Sequence, residues 1–217
     1  MEIVVLAVTK MSDGFCIVGK NIQGRWLRLI PEGLFNWRSL NYENGEHIEV
    51  GDVLRVSGLW RHTPPPHFED YTVQQFLRIK KLTNQQLLNF CRNHSETTDE
   101  LLSTLSRETR SLTVLRVDNI DVVFEDADPV KSRLAVRVGD RMYRNDTRKP
   151  GFPCTCLKWR AVQRRKIPLP IFHDVYVVFG LARPFTDREG IYVLAAPMII
   201  SIISEPSLPI LINYNKP

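Results

Sequence analysis

The chain opens with short apolar runs separated by turn residues, the period-two signature of strands rather than of helices. Residues 3–8 (Ile-Val-Val-Leu-Ala-Val) form a β-branched run, Ser12-Asp13-Gly14 supplies a turn, and Phe15-Cys16-Ile17-Val18-Gly19 forms a second run. Together they predict a hairpin. Gln23-Gly24 marks the next turn, after which Arg25 to Ile30 makes a third strand ended by Pro31-Glu32-Gly33. Beyond Gly51-Asp52 a fourth strand places Leu54 and Val56 on one face and Arg55 and Ser57 on the other. The Pro64-Pro65-Pro66 run belongs to a loop or an edge because proline cannot join a central ladder, and Tyr71 to Ile79 is the fifth strand. Five short strands in about eighty residues suit a small barrel of the OB or SH3-like kind.

From Thr83 the period changes. Leu87, Leu88, Phe90 and Cys91, then Leu101, Leu102 and Leu105, fall at helical spacings, with Thr83 and either Thr98 or Asp99 as N-caps. Two short helices are expected, with leucines turned to the core. β character returns in Leu112–Val117, Ile120–Phe124, Leu134–Val138, Asp174–Leu181 and Ile191–Ile203. Residues 144–170 read as a long Pro- and Arg-rich loop, a kind that is usually functional or mobile. The tail from Pro206 is expected to pack back as an extended strand.

Two segments match without a gap. Asp52-Val53-Leu54-Arg55-Val56-Ser57-Gly58-Leu59-Trp60-Arg61 shares Asp, Val, Val, Gly, Leu and Arg with Asp174-Val175-Tyr176-Val177-Val178-Phe179-Gly180-Leu181-Ala182-Arg183. A weaker echo pairs Val5-Leu6-Ala7-Val8 with Val114-Leu115-Arg116-Val117. The two matches in order imply a duplicated β unit of about a hundred residues. The predicted organisation is a first module over 1–82, a helical connector over 83–110 and a second module over 111–217. Two modules side by side predict a cleft, where a binding site is expected.

At 217 residues and 43% hydrophobic composition the chain can bury a core. No apolar run approaches the roughly 18 residues of a membrane span, and Met1-Glu2-Ile3-Val4-Val5 lacks the basic flank of a signal peptide. A cytoplasmic protein with no membrane partner is therefore expected. Cys16, Cys91, Cys154 and Cys156 contain no CxxC pair and read as reduced thiols. The net charge of +5 is unevenly placed: Lys131 to Lys166 holds twelve basic and two acidic residues, so the rest of the chain is net negative. That asymmetry steers anionic partners to one part of the surface.

Phe15-Cys16-Ile17-Val18-Gly19, Gly24-Arg25-Trp26-Leu27-Arg28-Leu29-Ile30, Gly51-Asp52-Val53 and His67-Phe68-Glu69-Asp70-Tyr71 in the first half resemble a poorly characterised prokaryotic family, the dual OB-containing domain. In the second half the resemblance rests on Tyr143-Arg144-Asn145-Asp146-Thr147, on Val175 to Phe185 and on Tyr192-Val193-Leu194-Ala195-Ala196-Pro197-Met198-Ile199-Ile200. It departs at Val177-Val178-Phe179-Gly180, where a Ser-Leu-Gly type of turn belongs, and at the elaborated stretch 154–166. The resemblance implies a mainly β chain with two tandem OB-like small barrels joined by a short helical segment. It also implies nucleic-acid or nucleotide binding, with no established reaction.

OB barrels hold single strands by stacking bases on aromatics while basic groups neutralise phosphates. Trp26 with Arg28, Arg61 beside Trp60, Arg144 beside Tyr143, and Trp159 between Lys158 and Arg160 have that composition, and Arg148, Lys149, Arg164, Arg165 and Lys166 extend it. Period two leaves the side of Trp26 open: either Trp26 and Arg28 or Arg25 and Leu27 point inward. His67, Glu69 and Asp70 could move protons or hold a divalent metal for a nuclease, but in a strand Asp70 points away from the other two. A structural bond from Glu69 or Asp70 to an arginine is the plainer reading. Cys154, Cys156 and His173 offer three zinc-type donors, yet CxC without a second cysteine pair is not a recognised site. Asp146-Thr147 could bind a nucleotide or close a turn. No P-loop, GxSxG, HExxH or GxGxxG pattern occurs. The expectation is a non-enzymatic, cofactor-free and metal-free protein that binds DNA or RNA, with a protein partner also open. A nucleotide or small-molecule sensor, or a docking subunit of a larger effector, is the alternative.

Overall fold

The computed structural model describes residues 1–10, 14–32, 41–106, 110–124, 132–145, 150–183, 185–186, 192–193, 196–210 and 212. Five strands build the first half: β1 (Glu2–Lys10), β2 (Phe15–Asn21), β3 (Trp26–Pro31), β4 (Asp52–Trp60) and β5 (Asp70–Lys81). They close into a barrel in the order β1-β2-β3-β5-β4, with β3 and β5 parallel and every other pair antiparallel. Helices α1 (Asn84–His94) and α2 (Thr98–Leu105) follow. Each starts with a capping box, Thr83 with Gln86 and Thr97 with Glu100, so the second cap falls one residue ahead of the expected Thr98 and two ahead of Asp99.

The second half comprises β6 (Leu112–Val117), β7 (Asn119–Phe124), β8 (Arg133–Val138), β9 (Arg141–Tyr143), β10 (Phe152–Pro153), α3 (Leu157–Arg164), β11 (Asp174–Leu181), β12 (Phe185–Thr186), β13 (Tyr192–Val193) and β14 (Pro197–Glu205). The 144–170 segment is thus not a plain loop: it carries β10 and α3. Strands β14-β11-β6 form one sheet, and β10, β9 and β7 pair with β8 in another. β11 lies between β6 and β14 as β4 lies between β1 and β5, and a parallel bridge, Cys154↔Ile199, stands where β3 and β5 run parallel. The repeated segments therefore occupy equivalent strands. The weaker echo is right in strand but not in register: β4 sets Val53 opposite Val4, and β11 sets Val175 opposite Val117, whereas the echo equates Val117 with Val8. The chain is mainly β and built of OB-like units.

Three apolar cores follow from strand alternation. Ile3, Val5, Leu27, Leu54 and Val56 fill the first barrel, and Val117, Leu134, Val136, Val177 and Phe179 fill the space between the two sheets of the second half. The third core lies between the modules, where Val4, Leu6, Val18 and Trp26 meet Leu112, Val114, Tyr176, Val178 and the Leu87, Leu88 and Cys91 face of α1. β1 and β11 are buried on both faces, which is why their sequences are continuous apolar runs rather than alternating ones. The expected cleft between the modules is, over most of its extent, this packed core. Leu157 at the start of α3 joins the first barrel's core, so second-half sequence helps close the first module. The tail packs back through Leu208 and Ile210 onto the second core, and its described residues form no strand. Among the described residues no helix is long and apolar enough to cross a membrane.

Candidate nucleic-acid interface

OB barrels use the outer face of strands 2 and 3 and the adjoining loops for oligonucleotides. In the first module that face carries Cys16, Val18 and Lys20 from β2 and Trp26 and Arg28 from β3, and it is covered. Trp26 is 5% exposed inside the inter-module core, and its Nε1 donates to Glu96 Oε1 at 3.0 Å. Lys20 Nζ donates to the same oxygen at 3.0 Å. Trp26 is therefore not a base-stacking platform, and of the two strand faces it takes the one turned to the second module.

Arg28 is likewise committed. Its guanidinium donates to Ser111 Oγ at 2.8 Å and to Asp70 Oδ1 at 3.4 Å, and lies 2.7 Å from His67 Nδ1. Ser111 in turn donates its N–H and its hydroxyl to the two Glu69 oxygens, at 2.7 and 2.9 Å. Asp70 also accepts from Thr63 Oγ1 at 3.2 Å and from Arg183, whose side chain reaches across from the second module. The His67-Phe68-Glu69-Asp70 segment thus spends its carboxylates on Arg28, Arg183 and Ser111, as the structural reading expects. Among the described residues no three His, Cys, Asp or Glu side chains group as a metal site. Cys154 and Cys156 lie in the second core with thiol pKa values raised by burial, while His173 is exposed.

Because a guanidinium only donates, His67 Nδ1 accepts and the ring proton sits on Nε2, turned toward the Ala182 backbone. Burial, then the charges of Arg28 and Arg183, lower the His67 pKa from 6.5 to about 4. The folded state therefore holds this ring neutral where the unfolded chain takes up a proton. The stability it contributes is complete above pH 6.5 and is lost as the pH falls from there toward 4. Urea denaturation between pH 7 and 4 should show that loss, and His67→Gln should flatten it; an unchanged slope would assign it elsewhere, for instance to His94, whose pKa burial also lowers.

Trp159 is fully buried in the second core, its Nε1 donating to Ser132 Oγ at 3.2 Å, so it too is removed from base stacking. The charged neighbours that suggested exposure belong to a helix whose other face, Leu157, Trp159 and Val162, is buried. Arg160 caps the Cys154 carbonyl through Nε at 3.0 Å. Lys158 is half-buried and lines a cavity between the modules. Arg148 and Lys149 lie outside the described residues. Arg61, Arg144, Arg164, Arg165 and Lys166 are exposed. The last three end α3, and their side chains have no partner among the described residues.

Sequence reading paired Arg61 with Trp60 but missed the side chains that gather around them. Arg25 stacks on the Trp60 ring at 3.6 Å, and that ring meets Tyr71 edge-on at 5.2 Å. The β4–β5 loop then presents Arg61, His62 and Phe68, the last 49% exposed, with Arg183 alongside through its bond to Asp70. Arg25 and Trp60 are 35 positions apart, so no local motif could join them. In the second module the equivalent strands bear Arg137, paired with Asp121 at 3.6 Å, followed by exposed Arg141 and Arg144.

A closed barrel in the order β1-β2-β3-β5-β4, followed by a second unit in which β11 lies between β6 and β14 as β4 lies between β1 and β5, defines a protein of OB-like units. The chain belongs to the dual OB-containing domain family, whose model matches residues 1–198. No curated protein matches it significantly.

Proposed function

We propose that the protein binds single-stranded or structured nucleic acid at the rim formed by the β4–β5 loop, with the exposed basic end of α3 as a further phosphate contact, and that it is not an enzyme. The observation that carries this reading is the Arg25–Trp60 stack beside Arg61, His62 and Phe68. A guanidinium on an indole offers a planar cationic surface, and an exposed phenyl on the same loop offers a second surface for a base. The first module's strand face is spent on its neighbour, so contact falls to loops and to the second module. Arg164, Arg165 and Lys166 supply phosphate neutralisation, and Arg144 extends it.

Fluorescence polarisation with labelled mixed-sequence 20-nucleotide RNA and DNA tests the proposal. Log affinity should fall linearly with log salt, at about −0.7 per phosphate contact on single strands. Joint substitution of Arg164, Arg165 and Lys166 by Glu should reduce both affinity and slope across all sequences. Phe68→Ala should cost about 1–3 kcal/mol at constant slope, the usual worth of one stacked base. Affinity unchanged by both sets would remove this rim from the interface.

A further inference from the structure

We propose that the cavity left between the two modules, at the opposite end of β5 from the nucleic-acid rim, binds a small phosphate monoester with an apolar body. The cavity holds about 250 Å³, just below the volumes of about 300–1,000 Å³ usual for drug-sized ligands, so its occupant is compact. Leu87 of α1, Leu157 of α3 and Ile200 of β14 give it apolar walls.

Three donors converge on this apolar space. Ser201 is 3% exposed and lies on the module-facing side of β14, opposite Val178, and its hydroxyl has no hydrogen-bond partner among the described residues. The hydroxyl faces the cavity rather than an internal acceptor, so a ligand oxygen can pair with it without breaking a bond of the fold. The Lys158 ammonium also lacks a partner among the described residues. Lys81 lines the same cavity, paired with Glu49, and its pKa is lowered by burial and then by the neighbouring charge of Lys158. The two cations therefore repel each other across a space that an anion would make favourable.

The backbone adds to this field. Cys156, Leu157 and Lys158 line the cavity where α3 begins, and the N-cap residue is a cysteine, whose thiol is only a weak acceptor for the Lys158 and Trp159 N–H groups it faces. First-turn N–H groups and the positive end of the helix dipole favour an anion there. Against Glu49 alone, two lysines and a helix start leave the site net positive. A hydroxyl, an ammonium and backbone N–H groups match the several oxygens of a phosphate better than the two of a carboxylate.

Calorimetric titration and thermal shift of the full chain with hexyl phosphate and with AMP test the site, with hexanol, hexanoate and inorganic phosphate as controls. At least one ester should bind with one-to-one stoichiometry and raise Tm. Lys158→Met and Ser201→Ala should each weaken it by about tenfold or more, without lowering the unliganded Tm and with the affinity for RNA unchanged. The proposal is overturned if neither ester binds, if both variants bind as the parent does, or if any control binds as tightly as the esters. The RNA titration is read separately, so failure here leaves the rim untouched and failure there leaves the cavity untouched.

Discussion

Glu96→Ala should destabilise the protein by about 3–5 kcal/mol, the usual consequence of removing one partner from a buried ionic network. The Glu96 carboxylate receives Lys20 Nζ at 3.0 Å, Trp26 Nε1 at 3.0 Å, Arg110 Nη1 at 2.6 Å, Thr113 Oγ1 at 2.5 Å and the Val114 N–H at 2.8 Å. These donors come from the first barrel, the end of the connector and the first strand of the second module, so one side chain fastens all three parts. Lys20 is 4% exposed at its side chain, and without Glu96 its charge would be buried with only the His94 carbonyl, at 2.8 Å, to receive it. Chemical denaturation reads the loss. A cost below about 1 kcal/mol would mean that the donors find other acceptors, because a single exposed ion pair is worth no more than that.

Asp70→Ala should cost a similar amount, again about 3–5 kcal/mol, because it strands Arg28, which is 6% exposed. The Arg28→Met, Asp70→Ala double variant should cost less than the sum of the two single changes, since removing both charges leaves neither uncompensated. Simple additivity would mean that the Arg28 contacts to Ser111 and His67 suffice without the carboxylate. Asp70 lies where both modules meet: Arg28 belongs to the first barrel and Arg183 to the second, so the loss should also loosen the seam that shapes the proposed interface.

Much of the architecture is legible in the linear pattern. The hairpin of β1 and β2, the strands β3 to β5, the Thr83 cap of α1 and the equivalence of β4 with β11 all follow from period, turn residues and repetition. The candidate site was less legible. Trp26, Arg28 and Trp159 have the composition of a binding surface, but their partners, Glu96, Asp70 with Ser111, and Ser132, lie far along the chain. An arginine or tryptophan looks the same in sequence whether it meets a phosphate, a base or an internal carboxylate. For α3 the signal was present: Leu157, Trp159 and Val162 mark its buried face, but the basic residues between them made the segment read as a loop.

The order of strands and helices, the duplication and the uneven charge are properties of the sequence alone, because they depend on neighbours in the chain and on composition. Which aromatic and basic side chains are exposed was decided only by the tertiary structure. Packing one module against the strand face of the other buries Trp26 and Arg28 and brings Lys81 toward Lys158 at the cavity, while closure of the first barrel brings Arg25 onto Trp60 at the rim. The physical reason is that burial and pairing depend on contacts between residues remote in sequence, whereas periodicity reports only which side of its own element a residue occupies.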